Sequence, residues 1–412
     1  MKCSFSLTLW LSTIVAAHAH ATTQRQWITS WYGSPIEAIQ QESRSSCKLT
    51  PVSNQNLPPA YYVIQQFENA TFRTVVRLSA GGDRLRVRIS NAYGCHPLTV
   101  GGLQVIASGE SRRATFNRQL RAVVAPRTSI VSDPVDLSTP DAAKIEIRVF
   151  YPEPIPQGIT FSVTAEGSAL IAGDALLTTT PQETTTQLPA YFLTSVDVER
   201  TSTRGAIVAI GDSITAGGGT RWPALLAQRL SKVGKSYAVI NAGIGGNRLL
   251  RDSPARNHVG VSVSDRFQTD VLDQASVKYV ILFAGINDLG WAQTSLDDSK
   301  PPTLAEITAA TCKLSERAHR RGLIFYAATL PPFEGASIRG YYTPEKNQLR
   351  HALNAWIRES RCIDGNVDFE RALSNPENAN QFHPDFDSGD HLHPNDAGQR
   401  AMSDAIDLAL FR

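Results

Sequence analysis

After residue 200 the chain settles into a rhythm that few folds can satisfy: short apolar runs of strand length alternate with stretches of helical spacing. The runs fall at 206–210, 237–240, 278–284, 323–329 and 367–369, and helical periodicity occupies 222–233, 263–274, 304–321, 344–361 and 396–410. Thr343 as a cap with Pro344 in the first turn marks the start of the fourth helix. Strands separated by helices pair in parallel, and right-handed crossovers then cover both faces. The prediction is α/β, a five-stranded doubly wound parallel sheet in an α/β/α layer over residues 201–412. Too few βα units are present for a closed eight-stranded barrel.

Residues 22–200 read differently. The runs 72–78, 84–90 and 144–150 alternate or nearly alternate, and Gly81-Gly82-Asp83 predicts a hairpin between the first two. This segment is expected to form an N-terminal β-sandwich domain. Leu85, Val87 and Ile89 give one apolar face, while Arg84, Arg86 and Arg88 give the other, which is either solvated or a surface for an acidic glycan. Trp27, Trp31 and Tyr32 are either an aromatic platform for sugar or a segment packed against the second domain. Thr-rich residues 178–189, bracketed by Pro, predict an extended loop, and the domain boundary is expected near residue 200.

Met1-Lys2, the apolar stretch 5–17 and the small-residue run 17–21 have the pattern of a secretory signal over residues 1–21, implying a secreted or periplasmic protein. Its apolar part is too short to anchor in a bilayer, and no other stretch predicts a transmembrane segment. Once Cys3 leaves with the signal, Cys47, Cys95, Cys312 and Cys362 remain. An even number in an oxidising compartment predicts disulfides. The pairings Cys47–Cys95 and Cys312–Cys362 would each stay inside one domain; buried free thiols are the alternative. A hydrophobic content of 42% suits a globular chain, and 40 basic against 38 acidic side chains leave a net charge of +2, which points to neither nucleic acid nor an anionic membrane. Composition does not address oligomeric state.

The first apolar run ends abruptly in Gly211-Asp212-Ser213, which puts Ser213 on a strand-to-helix turn at the carboxyl edge of the predicted sheet, where open α/β folds bind ligands. A Ser at such a turn, taken alone, caps a helix or closes the turn. Three other segments follow strands on the same edge: Gly245-Gly246-Asn247, Gly285-Ile286-Asn287-Asp288 and Asp390-His391-Leu392-His393. Together they supply what acyl transfer needs. A Ser hydroxyl requires a base, and His393 can serve; Asp390, three residues earlier, can orient the imidazole. The Ser213 and Gly246 backbone N–H groups and the Asn287 amide can donate to an oxyanion. Asp212, adjacent to the Ser, is expected to order the loop rather than to serve as the acid of the triad.

These blocks, in this order, resemble the GDSL or SGNH hydrolase superfamily. The match runs through Ser213 in Gly-Asp-Ser-Ile, Gly246 in Asn-Ala-Gly-Ile-Gly-Gly, Asn287 in Gly-Ile-Asn-Asp, and Asp390 with His393 in Asp-His-Leu-His-Pro-Asn; Ile214 stands where the family name has Leu. Asn247-Arg-Leu-Leu-Arg251, Ser264-Asp-Arg-Phe267 and Asp387-Ser-Gly-Asp390 are similar to secreted bacterial members with an N-terminal β-domain. The resemblance implies a serine esterase acting on carboxylic esters, with no metal or organic cofactor. Short acyl or acetyl esters, borne on an acylated polysaccharide, are the expected substrates.

Other readings compete. An acyltransferase or a lipid esterase could use the same triad, and a glycan-binding surface protein would use the Arg face or the aromatic segment instead. His383, Asp385, Asp387, Asp390, His391 and His393 could form a metal site, though that leaves Ser213, Gly246 and Asn287 without a role. Arg248 and Arg251 either contact an acidic or polar substrate or form salt bridges. No Gly-x-Gly-x-x-Gly opens a βαβ unit, so a dinucleotide enzyme is not supported.

Overall fold

The computed structural model describes residues 25–37, 67–155, 159–186, 188–201, 204–252 and 260–412. The expected signal and Cys47 lie outside the described residues. In the C-terminal half a five-stranded sheet runs in the spatial order Tyr237–Gly243, Gly205–Gly211, Val277–Phe283, Ile324–Ala328, Gly365–Val367, with every neighbouring pair parallel. This is the strand order 2-1-3-4-5, and the direction of winding reverses between the Gly205–Gly211 and Val277–Phe283 strands. Ala206 to Ile210 are completely buried, which explains their unbroken apolarity: layers cover both faces of a parallel strand. Gly211 aligns with Gly243 on one side and Phe283 on the other, so three turns leave the sheet at one level.

Among the described residues, seven α-helices connect or follow these strands: α1 Trp222–Lys232, α2 Val263–Phe267, α3 Ile286–Gly290, α4 Leu304–His319, α5 Pro344–Glu359, and, after the fifth strand, α6 Phe369–Leu373 and α7 Asp396–Ala405. Helix α7 packs on α1 and α6, whereas α4 packs on α2 and α5, giving one helical layer on each face of the sheet. The caps follow local chemistry. Thr343 accepts from Lys346 N at the start of α5, and Thr303 and Glu306 form a reciprocal capping box on α4. The structure shifts two expected boundaries. Asp368 accepts from Arg371 N and so starts α6, which ends the fifth strand at Val367 rather than at residue 369. The last helix stops at Ala405, where the extended Ile406 and the Asp407 cap begin a separate turn, Leu408–Leu410.

The N-terminal region is β-rich. One antiparallel sheet orders Gln26–Tyr32, Leu193–Arg200, Arg84–Ser90 and Ser129–Val131; a six-stranded sheet orders Glu183–Thr186, Gly167–Ala172, Ala70–Arg77, Lys144–Tyr151, Gly102–Ala107 and Glu110–Ala114. Leu85, Val87 and Ile89 of the first and Val76, Ile147 and Val105 of the second are buried in one core. The hairpin expected at Gly81-Gly82-Asp83 does not form: the strands on either side belong to different sheets. Neither glycine has the positive φ that a tight hairpin turn requires. They are glycines because the chain passes close to other backbone there. A Cβ on Gly81 would lie 2.1 Å from Thr139 O, and one on Gly82 2.6 Å from Glu199 O. The stretch expected to be a loop at 178–189 contains the edge strand Glu183–Thr186.

The Arg row is not a free anionic-ligand face. Arg84 binds Glu199 at 2.7 Å, Arg86 binds Asp197 at 2.9 Å, and Arg88 Nε reaches Ser195 Oγ at 3.3 Å, all on the neighbouring strand. The Arg86 guanidinium also covers the Trp27 ring at 4.5 Å. Trp31 and Tyr32 are buried, and Gln26–Tyr32 packs along the Tyr237–Gly243 strand of the other half. No helix among the described residues is long and apolar enough to cross a membrane.

Cys312 on α4 is bonded to Cys362, with the Cα atoms 5.4 Å apart across 50 residues of sequence. Closing a loop of that length restricts the unfolded chain by about 4 kcal/mol. Replacing both with Ser is therefore expected to lower stability in denaturant titration by up to about 4 kcal/mol. An unchanged midpoint would mean that the bond carries no stability.

Candidate active site

Ser213 stands at the reversal point of the sheet, on the turn leaving the Gly205–Gly211 strand. That strand ends in glycine because a Cβ there would lie 2.4 Å from Phe283 O. Asp212 shapes the turn: its Oδ1 accepts from Ile214 N at 3.0 Å, and its carbonyl accepts from Thr215 N and Ala216 N at 3.1 and 2.8 Å. Asn241 braces it from the next strand, donating to Thr215 O at 2.8 Å and Gly217 O at 2.9 Å.

Ser213 Oγ is 2.7 Å from His393 Nε2, and His393 Nδ1 is 2.6 Å from Asp390 Oδ2. The carboxylate beside Nδ1 fixes the proton there and leaves the Nε2 lone pair for the hydroxyl. The other Asp390 oxygen accepts from His393 N at 2.8 Å and from Leu392 N and Ser388 Oγ at 3.0 Å. Burial alone would raise this carboxyl, but the hydrogen bonds from the His393 ring and from the two backbone N–H groups outweigh it and hold Asp390 well below the usual carboxylate range. Its loop is closed on itself by Ser388 N donating to His393 O, and tied to the loop after the fourth strand by Ser337 N donating to Asp390 O at 3.1 Å.

Across the reversal point, Asn287 opens α3. Its Nδ2 donates to Asn247 O at 3.1 Å, beside Gly246, which turns with φ +66. Its Oδ1 accepts from Tyr341 Oη at 2.7 Å. The adjacent Asp288 accepts from Leu249 N at 2.7 Å and Leu250 N at 2.9 Å, pinning the segment after Gly246 to α3. Ser213, Asp390 and His393 thus share one hydrogen-bonded chain, and the Asn287 side chain is joined to the residue following Gly246.

Several residues that build the site went unread in the sequence. Buried Arg266 donates from Nη2 to Gly211 O at 2.8 Å, from Nη1 to Ala242 O at 2.7 Å and from Nε to Asn247 Oδ1 at 3.0 Å. Its charge is met by Asp270 Oδ2 at 2.5 Å, whose other oxygen accepts from Tyr32 Oη at 2.7 Å. The signal available was Ser264-Asp-Arg-Phe267, recognisable as a motif but without a contact to suggest. Tyr341 lies in Gly340-Tyr341-Tyr342, which has no pattern at all. Arg248 is buried against Asp297 at 2.5 Å rather than offered to a substrate.

The six residues weighed as a metal site pair off. His391 Nδ1 is 2.5 Å from Asp387 Oδ2, His393 is bound to Asp390, and His383 accepts from Asp385 N. Among the described residues no cluster of three or more His, Cys, Asp or Glu has metal-binding geometry. A cavity of about 240 Å³ lies between the two halves, walled by Trp31, Leu78, Pro223, Ala227 and Val239. Neither Ser213 nor His393 lines it, but Asn241 and Gly217, which brace the Ser213 turn, do.

Residues 209–401 match the family model described as GDSL-like lipase/acylhydrolase. The C-terminal half therefore carries a GDSL-like acylhydrolase domain with the SGNH α/β fold, a domain that hydrolyses carboxylic esters. Solved structures similar to it include a lipolytic protein of the G-D-S-L family from Desulfitobacterium hafniense, with 20% identity, covering 49% of this chain and 97% of that one at a TM-score of 0.37. A GDSL-like lipase from Bacteroides thetaiotaomicron has 18% identity and covers 50% of this chain and 87% of its own, with a TM-score of 0.37. An acetyl xylan esterase from Geobacillus stearothermophilus has 22% identity, covering 50% and 93%, again at 0.37. No curated protein sequence matches the chain.

Two outcomes are expected from this geometry. Burial pushes the Asp212 carboxyl up to about 7, despite the Ile214 N–H and the nearby His393. A group whose folded pKa exceeds its unfolded value contributes stability that is full below the unfolded pKa, near 4, and lost as pH rises through about 7. Melting curves between about pH 5 and pH 8 should therefore fall more steeply for the native chain than for Asp212→Asn; parallel curves would mean that Asp212 is not protonated when folded. Tyr32→Phe leaves a buried Asp270 oxygen without its donor and should cost about 1–3 kcal/mol in chemical denaturation.

Proposed function

We propose that this protein is an exported serine esterase in which Ser213 is the nucleophile, His393 the base and Asp390 the carboxylate that orients the imidazole and stabilises the imidazolium it forms. Residues 1–21 act as a signal, 22–200 form the N-terminal domain and 201–412 the catalytic domain. Ser213 Oγ attacks the ester carbonyl as His393 Nε2 takes its proton, and the electron pair of the C=O bond moves onto oxygen. The backbone N–H groups of Ser213 and Gly246 and the Asn287 Nδ2 donate to that oxyanion. Collapse expels the alcohol, which receives the proton from His393. Water, deprotonated by the same imidazole, then cleaves the acyl-Ser213 ester to release the acid and restore the hydroxyl.

The observation that carries this reading is the run from Ser213 Oγ through both His393 nitrogens to Asp390, at 2.7 and 2.6 Å. Both distances lie within the hydrogen-bond reach that proton transfer uses, which supports the reading. The substrates are short acyl or acetyl esters borne on an extracellular glycan, a choice supported by the export signal and the β-rich companion half.

Ser213→Ala with its fold intact should lose at least about a thousandfold in p-nitrophenyl acetate turnover. Asn287→Ala should lower kcat by about 10²–10³. His393→Ala should be far more damaging than His391→Ala, whose imidazole is engaged by Asp387; the reverse ranking would move the role. A panel of acetyl, butyryl and long-chain esters beside acetylated polysaccharides, scored by kcat/KM, tests the substrate class, and a preference for long acyl chains would overturn it.

A further inference from the structure

We infer that Tyr341 is a positioning residue for the oxyanion site: its phenol donates to Asn287 Oδ1, fixes the amide plane and aims the remaining Nδ2 hydrogen at the reacting carbonyl. The inference rests on the reading of Asn287 as an oxyanion donor. The two ends of a side-chain amide have nearly the same shape and opposite chemistry. An Asn287 that rotated about its last bond would present a carbonyl oxygen to the developing negative charge, turning a stabilising contact into a repulsive one.

Two partners prevent this. Asn247 O, which can only accept, is 3.1 Å from Nδ2, and Tyr341 Oη is 2.7 Å from Oδ1. With one amide hydrogen committed to Asn247 and the oxygen held by the phenol, the second hydrogen has one direction left. Donation into Oδ1 also draws electron density from the amide nitrogen, so the hydrogen facing the substrate becomes the better donor.

The surroundings hold the phenol in place. Its ring is fully buried, with Trp291 edge-on at 5.3 Å and 90° and Phe333 at 6.1 Å and 83°. Gly290, three residues after Asn287, leaves the space: a Cβ there would lie 2.0 Å from Tyr341 Cζ. The buried Lys346 ammonium then ties both sides together, donating to Gly290 O at 3.0 Å, to Ala292 O at 2.6 Å and to Gly340 O at 2.6 Å. The first carbonyl ends α3, the second lies two residues beyond it, and the third immediately precedes Tyr341. Burial, reinforced by the Asp212 and Asp288 carboxyls, pushes phenol ionisation well above its ordinary value, so Tyr341 remains an O–H donor.

A double-mutant cycle on kcat/KM for p-nitrophenyl acetate tests the assignment, read beside melting temperature and inhibition by phenylboronic acid, which forms a tetrahedral adduct on the nucleophile. Tyr341→Phe should lower kcat about 10- to 100-fold with KM within about twofold, and weaken boronate inhibition by a similar factor. In an Asn287→Ala background the same substitution should change kcat/KM by less than about twofold, because the group it positions is gone. Equal losses in both backgrounds, or full kcat in Tyr341→Phe, would overturn the inference while leaving the esterase reading intact. Full activity in Asn287→Ala would instead remove the oxyanion assignment itself, and the inference with it. Should Tyr341→Phe fail to fold, 3,5-difluorotyrosine at position 341 keeps the shape and alters only the donor. A rate change that disappears in Asn287→Ala supports the role, and an unchanged rate overturns it.

Discussion

One buried guanidinium joins the turn that carries Ser213 to the turn that carries Gly246. Arg266 binds the carbonyl ending the Ser213 strand, the carbonyl of Ala242 on the next strand and the side chain of Asn247, whose own carbonyl holds Asn287. Parallel strands present unpaired carbonyls where they end, and these need donors once buried. Arg266 donates at two strand ends at once, beside the Ile244 N–H that also reaches Gly211 O, and so ties the turn carrying Ser213 to the turn carrying Gly246. A buried charge is tolerable only when paired and fully hydrogen-bonded. Asp270 supplies the pair, and Tyr32, from the other end of the chain, completes the carboxylate.

The second constraint is register. Gly211, Gly243 and Phe283 lie level with one another, so segments separated by tens of residues emerge side by side. Because the winding reverses between the Gly205–Gly211 and Val277–Phe283 strands, the crevice opens between the turns that carry Ser213 and Asn287. His393 arrives last, on the loop before α7, and that loop is tied to the segment after the fourth strand through Ser337 and Asp390. That segment runs on from Ser337 to Tyr341, so one loop touches both the imidazole side and the amide side of the crevice.

Much of this was legible in the residues. The parallel sheet was readable because buried strands must be continuously apolar and helices must show their period, and both signals are local. The motif residues stood out because the expected chemistry demands particular types at strand ends, and the structure joins Ser213, His393 and Asp390 by hydrogen bonds. The failures have a common cause. Gly81 and Gly82 resemble a hairpin turn, yet their absent side chains answer to Thr139 and Glu199, far off in sequence. Arg84, Arg86 and Arg88 look like a solvated row until Leu193–Arg200 lies beside them. Arg266 reaches Gly211 and Ala242, and Tyr341 reaches Asn287, across tens of residues of sequence, and only the Arg266–Asp270 pair is local. Where a residue's meaning lies in a contact rather than in a period or a turn, one sequence does not carry it.

The Tyr32–Asp270 contact bears on how such a chain can be inherited. The catalytic half looks like a cassette that could be excised and joined to another carrier. Excised, it would expose an acid whose donor lies in the half left behind, beneath the guanidinium that ties its own active-site turns together. Recombination that swapped the β-rich partner would deprive the Asp270 carboxylate of that donor unless the new partner brought a hydroxyl to the same point. The contact therefore favours keeping these two halves together.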